Sequence, residues 1–333
     1  MRTRLSRAGE RGVAKTIALP ALFLILTLIT AGHVCAQTPP AAPDRDPESF
    51  RISVDVALVV LHATVTGRQG GFVSDLAAQD FEVLEDGKPQ TIRLFRNEDV
   101  PVTVGLVVDQ STSMRPKLAE VSAAARSFVR SSNPDDEMFV VNFNEHVWLG
   151  LSGALRFTNN TVELGNAITT RPAGGQTALY DAIAKALAGL QAGSRDKKVL
   201  IVVSDGGDNV SQHGMAEVMK LAALSSAVIY TIGVFDEADP DRNPRVLKRL
   251  AQATGGEAFL PDHLSEVSAI CERIAQDIRH QYTIGYVPTN ADRNGAYRAI
   301  RVIARQNGHA LSVRTRTGYI AGGEPKPDEK AAQ

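Results

Sequence analysis

The sequence predicts an α/β protein: a doubly wound, mostly parallel sheet with an accessory β region built from the two flanks of the chain. Two observations carry this. Between residues 101 and 280, strand-length apolar runs alternate with stretches whose apolar residues recur at helical spacing, the pattern of a parallel sheet covered on both faces. On either side of that span the apolar residues alternate at period two around Asp86-Gly87 and Asn307-Gly308, both strong hairpin turns. A length of 333 residues accommodates one full α/β domain and such an accessory unit.

The N-terminal segment stands apart from that fold. Arg2, Arg4, Arg7, Arg11 and Lys15 form a basic stretch, Ile17–Ala31 is almost continuously apolar, and Val34-Cys35-Ala36 supplies small residues at the positions of a cleavage site. Residues 1–36 therefore read as a signal peptide cleaved after Ala36, which sends the protein to the periplasm or the medium. The alternative is an uncleaved anchor, against which stand the short apolar run and Pro20. Lipidation at Cys35 would need a different preceding sequence from Gly32-His33-Val34. Once Cys35 leaves, Cys271 remains alone, so no intrachain disulfide forms. Its place in the stripe Leu264, Val267, Cys271, Ile274, Ile278 predicts a buried, inert thiol.

Residues 37–50, rich in Pro, Ala and Asp, read as a solvated linker. A β unit over 51–98 follows, with the run Val54–Val65, a Gly70-Gly71 turn, and Phe81–Glu85 and Gln90–Phe95 flanking Asp86-Gly87. Asp99-Val100-Pro101 is the junction. In the α/β span, strands are expected at Val102–Val108, Met138–Asn142, Val147–Leu151, Lys198–Val203 and Ala227–Val234. Helices are expected through Leu118–Val129, Leu179–Leu190, Pro244–Ala253 and Leu264–His280. Residues 281–320 return to strand, with Tyr282, Ile284 and Tyr286 alternating, then Ile300, Val302 and Ala304, then Leu311 and Val313. They are expected to pair with the 51–98 unit, and the tail 321–333 is expected to be disordered.

Polar residues gather where buried strands end. Val104–Val108 runs directly into Asp109-Gln110-Ser111-Thr112-Ser113; Gly174-Gly175-Gln176-Thr177 opens a helix; Ser204-Asp205-Gly206-Gly207-Asp208 follows the strand Lys198–Val203. Parallel α/β sheets bind ligands at the carboxyl ends of their strands, so these loops can meet on one edge. Their donors are hard oxygens with neither sulfur nor imidazole, which favours Mg²⁺, with Mn²⁺ or Ca²⁺ as alternatives, over zinc or copper. Two carboxylates only neutralise a divalent ion, and Mg²⁺ commonly keeps exchangeable waters, leaving a place for an acidic group from a partner. Each loop also has a local alternative. Asp109 and Ser113 could cap a helix starting near Met114, Thr177 could cap the next, and Asp205-Gly206 could be an ordinary turn.

The ordered set D-x-S-x-S, Thr and Asp resembles the metal-ion-dependent adhesion site of von Willebrand factor A-type domains. The resemblance covers about residues 101–280 and implies that Asp109, Ser111, Ser113, Thr177 and Asp205 hold a divalent cation, the serines directly, the two Asp directly or through water, and Thr177 in some states. It implies a Rossmann-like domain and a protein ligand that presents an acidic side chain to the metal. The flanks look like a narrower exported bacterial set, the VWFA-related acidobacterial domain proteins. That likeness rests on F-E-V-L-E-D-G-K-P-Q, V-x-V-G-L-V-V-D, Y-T-I-G-Y and T-G-Y-I, and it brings no settled biochemical role.

Other classes find less support. A formal net charge of -1 gives no basic excess for nucleic acid, and membrane contact is expected only through the signal or an uncleaved anchor. The chain lacks the nucleophile elbow, the P-loop, the dinucleotide fingerprint and H-E-x-x-H, so an enzyme is not expected. The acidic loop Asp236–Asp241 is expected on the same edge as the cluster, as a solvated turn or as a charged rim. The expected function is an exported adhesion or interaction module. The alternative is an envelope-assembly protein whose metal site only rigidifies loops while the β flanks make the contacts.

Overall fold

The computed structural model of the chain describes residues 58–153, 155–235 and 242–322. The signal segment, the linker, the loop 236–241 and the tail beyond Gly322 lie outside the described residues. The first flank gives β1 (Val59–Thr66), β2 (Phe81–Glu85), β3 (Lys88–Gln90) and β4 (Ile92–Arg96). The α/β span follows as β5 (Val102–Asp109), α1 (Leu118–Ser131), β6 (Glu137–Phe143), β7 (Val147–Leu149), α2 (Thr161–Ile168) and α3 (Leu179–Leu190). It continues as β8 (Lys197–Ser204), α4 (Met215–Leu224), β9 (Val228–Gly233), α5 (Pro244–Thr254), β10 (Ala258–Phe259) and α6 (Val267–Arg279). The second flank is β11 (Tyr282–Tyr286), β12 (Tyr297–Gln306), β13 (His309–Ala310), β14 (Ser312–Arg314) and β15 (Gly318–Ile320).

The central sheet has the order β10-β9-β8-β5-β6-β7, parallel throughout except for β7, which runs antiparallel to β6. Its two middle strands, β5 and β8, are buried at every position because helices cover both faces. Alternate side chains of β5 serve the two sides. Val104, Leu106 and Val108 pack with Phe128 of α1 and Ile274 of α6, whereas Val107 packs with Ile183 of α3 and Leu250 of α5. The doubly wound, mostly parallel architecture expected from the alternation is the one observed. The register Val108 opposite Val203 brings Asp109 and Ser204 off the sheet side by side.

The flanks interleave as two antiparallel sheets. One has the order β14-β1-β11-β4, and the other runs β13-β12-β2-β3 with β15 on the free side of β12. Each sheet therefore combines strands from both ends of the α/β span, and the two share a core that includes Leu61, Val83, Tyr282, Tyr286 and Val302. Asp86 and Gly87 have φ of 48° and 78°, and Asn307 and Gly308 of 51° and 79°, the left-handed pair that a two-residue hairpin requires. The described residues fall in one compact unit. No helix among the described residues is long and apolar enough to cross a membrane.

Several elements differ from expectation. The arm after Asp86-Gly87 is not one strand: β3 stays with β2, then the chain crosses at Thr91 and β4 joins the other sheet. Gln90 makes the break, turning inward to donate to Thr289 Oγ1 at 3.1 Å and accept from Thr289 N at 3.0 Å. The helix after the first polar loop begins at Leu118 rather than near Met114, because Thr112–Lys117, with Pro116 inside it, takes a 3₁₀ conformation. Helices α2 and α4 fall outside the expected elements.

Candidate metal centre

Asp109 ends β5 fully buried, and its carboxylate is spent locally: Oδ1 accepts from Ser111 N at 2.8 Å and Oδ2 from Ser204 Oγ at 2.7 Å. The first bond is an Asx turn, which rotates the chain after the strand so that Ser111 and Ser113 fall on one side. Their hydroxyl oxygens lie 3.1 Å apart, and Ser113 Oγ donates to Asp205 Oδ2 at 2.6 Å. Asp205 Oδ1 accepts from Gly207 N at 3.0 Å, fixing the second carboxylate in its own turn. Ser111, Ser113 and Asp205 thus form a chain of hydrogen-bonded oxygens across the ends of β5 and β8, to which Asp109 is joined through the Ser111 N–H. The capping alternatives do not hold, since the Ser111 side chain does not cap the turn after it, and the first N–H groups of α3 are met by Asp208 and Ser211 rather than by Thr177.

Thr177 arrives by a different route. Its N–H donates to Asn209 Oδ1 at 2.9 Å, and its carbonyl accepts from Asn209 N at 3.0 Å and Val210 N at 3.3 Å. The loop that carries it is also tied to the first loop: Gly174 N donates to Gln110 O at 2.8 Å and Thr112 N to Gly175 O at 3.2 Å. Thr177 therefore sits between the other two loops, but its hydroxyl makes no hydrogen bond to the other four residues. Gly175 has φ of 86° and Gly206 of 79°, and a Cβ on Gly206 would meet Asn243 O at 2.4 Å. Both glycines are required by these tight turns.

Several residues that hold the site carry no signal in the motif. Gln110 occupies a variable position yet is fully buried, with Nε2 donating to Asn142 Oδ1 at 3.2 Å and Ile168 O at 2.8 Å. Asn144 Nδ2 donates to Gly174 O at 2.9 Å, and Ser204 holds both Asp109 and, as acceptor, Gly206 N at 3.0 Å. Asp208 accepts from Tyr180 N at 2.9 Å at the start of α3. A polar residue at the end of a fully apolar strand was the available clue for Ser204.

Burial raises the pKa of Asp109 from 3.8 to about 6, and the neighbouring charge of Asp205 pushes the same way. The hydrogen bonds from Ser111 and Ser204 oppose both. Asp205 is also buried, at 3 % exposure, and among the described residues no basic side chain makes an ion pair with either carboxylate. Nor do three or more His, Cys, Asp or Glu side chains cluster as a metal cage among those residues, so the hydroxyls have to belong to any donor set here. Two buried carboxylates beside the paired hydroxyls of Ser111 and Ser113, without a counter-cation among the described residues, fit a hard divalent ion. Ser113 is half-buried and Thr112, Gly175 and Gln176 are exposed, so the cluster opens to solvent along this edge.

Residues 104–207 match the family model described as the von Willebrand factor type A domain, and all five residues fall inside that stretch. No curated protein matches the chain. Among solved structures, the chain is similar to a von Willebrand factor type A protein from Catenulispora acidiphila, with 12% identity and a TM-score of 0.48 over 79% of this chain and 73% of that one. It is also similar to the vWF domain of the type V pili tip protein Mfa5 from Porphyromonas gingivalis, with 17% identity and a TM-score of 0.45 over 54% and 95%. A third similarity is to the hypothetical protein BatB from Bacteroides thetaiotaomicron, with 17% identity and a TM-score of 0.42 over 53% and 98%. The α/β half of the chain has the fold of von Willebrand factor A-type domains.

Proposed function

We propose that this protein is an exported, non-catalytic interaction module that binds a protein partner through a divalent cation, Mg²⁺ by preference, at Asp109, Ser111, Ser113, Thr177 and Asp205. The observation that carries the reading is the pair of buried carboxylates joined through the Ser111 N–H and the Ser111 and Ser113 hydroxyls, with no basic side chain paired to them among the described residues. The ion would supply the missing positive charge and offer a coordination position to an acidic side chain of the partner. The chain's own part is to hold the donors rigid. Asn144, Gln110 and Asn209 clamp the three loops together, and Ser204 keeps Asp109 oriented. The basic and apolar run of residues 1–36, with its small residues before the cleavage point, supports export.

The test is recovery of partners from an envelope fraction with Mg²⁺ and with chelator, using the full chain and Asp109→Ala. Recovery should require Mg²⁺ and fall at least tenfold in the variant. Full recovery by the variant, or in chelator, would refute the reading.

A further inference from the structure

A second polar constellation lies at the other edge of the central sheet, where β5 and β8 begin. The outer face of the sheet β14-β1-β11-β4, with Leu58, Val60, Leu94 and Thr283, stands opposite Pro101, the Ser194–Lys197 turn and Ala223–Ser226 of the α/β domain. Between them is a cleft of about 1510 Å³, more than a single small molecule fills. Its walls are apolar in part: Leu58 and Val287, both lining it, are 42 % and 39 % exposed.

The charge of the cleft is one-sided. Six arginine and lysine residues line it against two aspartates among the described residues, and one of the six, Arg298, is paired with Glu85 beneath the wall. At its floor His62, Lys197 and Arg316 converge. His62 and Lys197 are 9 % and 3 % exposed, and none of the three makes an ion pair with a carboxylate among the described residues. Each is held in place by a neutral oxygen. Lys197 Nζ donates to Ile278 O, Arg316 Nη2 to Ala223 O at 2.7 Å and Nε to Gly318 O at 2.9 Å, and His62 Nδ1 lies 3.3 Å from Thr283 Oγ1. Burial lowers all three from their ordinary values, and the charges of Lys197 and Arg316 add to that effect on His62. The charges of Asp277, Asp99 and Asp136 act on Lys197 from the protein side, which leaves Arg316 and the exposed Arg96 as the cations that an incoming carboxylate would pair with.

We propose that this cleft is a second binding site, for an acidic peptide segment with apolar side chains, and that Arg316 and Arg96 receive its carboxylates. A peptide is the occupant that suits both the length of the cleft and the free edge of β4, whose Leu94 and Arg96 line it. An extended segment can begin there as an added strand beside Arg96 and run on across the cleft, so that a second acidic group meets Arg316. The cation site lies on the opposite edge of the sheet, so binding here needs no metal.

The test is selection from a random decapeptide library displayed on phage, carried out in EDTA with the full chain, followed by anisotropy with the selected peptides. Selection should enrich Asp and Glu beside Leu, Ile, Val or Phe. Affinity should fall at least tenfold in Arg316→Gln and in the exposed, cleft-lining Arg96→Glu, and remain within twofold in Asp109→Ala. The surface variant keeps the test decisive where the buried one misfolds. Failure to enrich acidic peptides, or equal affinity for Arg96→Glu and the unaltered chain, would overturn the proposal.

Discussion

Replacing Asp109 with Asn should stabilise the metal-free protein, although the same change removes the proposed metal site. The folded-state value of this carboxyl is raised from 3.8 to about 6, mainly by burial and then by Asp205. The folded protein therefore holds the proton more tightly than the unfolded chain. The stability this confers is present below pH 3.8 and is lost as pH climbs from there to about 6. Each tenfold gain in proton affinity corresponds to about 1.4 kcal/mol, so the ionised Asp109 costs the metal-free fold about 3 kcal/mol at neutral pH. An amide removes that cost. It can still accept from Ser111 N, but Ser204 Oγ must turn round to accept from it, which gives back about 1 kcal/mol. In EDTA at pH 7.5, Asp109→Asn should thus unfold in urea with about 2 kcal/mol more stability than the natural chain. With Mg²⁺ at a hundred times its dissociation constant the natural chain should gain about 2.7 kcal/mol and the variant nothing, so their order reverses. Unfolding followed by far-UV circular dichroism reads both arms. A variant less stable than the natural chain in EDTA, or equal stabilisation of both by Mg²⁺, would refute the reasoning.

Two further substitutions probe the turn beside the site and the flanking sheets. Gly206→Ala forces a side chain onto φ of 79° and against Asn243 O at 2.4 Å, so it should cost about 2 kcal/mol or more and weaken the Mg²⁺ response as Asp205 shifts. Urea midpoints with and without Mg²⁺ measure both effects, and an unchanged midpoint would count against the turn geometry. Glu85→Gln leaves the Arg298 guanidinium, at 4 % side-chain exposure, without its carboxylate and weakens what Tyr286 and Tyr319 donate to, so a loss of about 3–5 kcal/mol is expected. A loss under 1 kcal/mol would show that water replaces Glu85 there.

The sequence discloses most where burial is complete and local. Strands β5 and β8 are legible because both faces are covered, which leaves unbroken apolar runs whose ends are unmistakable. Helix α4 escapes because it buries only Val218 and Ala222, too little to write a stripe. Helix α2 escapes because it is eight residues long and its start depends on one cap, with Asn160 Oδ1 accepting from Val162 N and Glu163 N. The same division runs through the site. The spacing of Asp109, Ser111 and Ser113 is local and can be read. The bonds that bring the loops together, Gln110 to Ile168, Asn144 to Gly174 and Thr177 to Asn209, join residues 58, 30 and 32 positions apart, and no periodicity encodes them.

The flanks also limit how the two functional readings can be separated. In the sheet β14-β1-β11-β4, strands β1 and β4 of the first flank do not touch; β11 of the second flank stands between them. Removing the chain after His280 would therefore unpair both and expose the core around Leu61 and Phe81. The α/β domain would suffer as well. Helix α6 leads within three residues into β11, and its buried Asp277 accepts from Thr64 Oγ1 of β1 at 2.6 Å and pairs with Arg314 of β14. Deleting the flanks thus strips partners from the last helix of the domain under test, so loss of binding would not assign the contact to them. Point changes do assign it. Asp109→Ala alters one edge of the central sheet and Arg96→Glu the β4 wall of the cleft at the other, and neither residue takes part in the joint between the flanking sheets and α6.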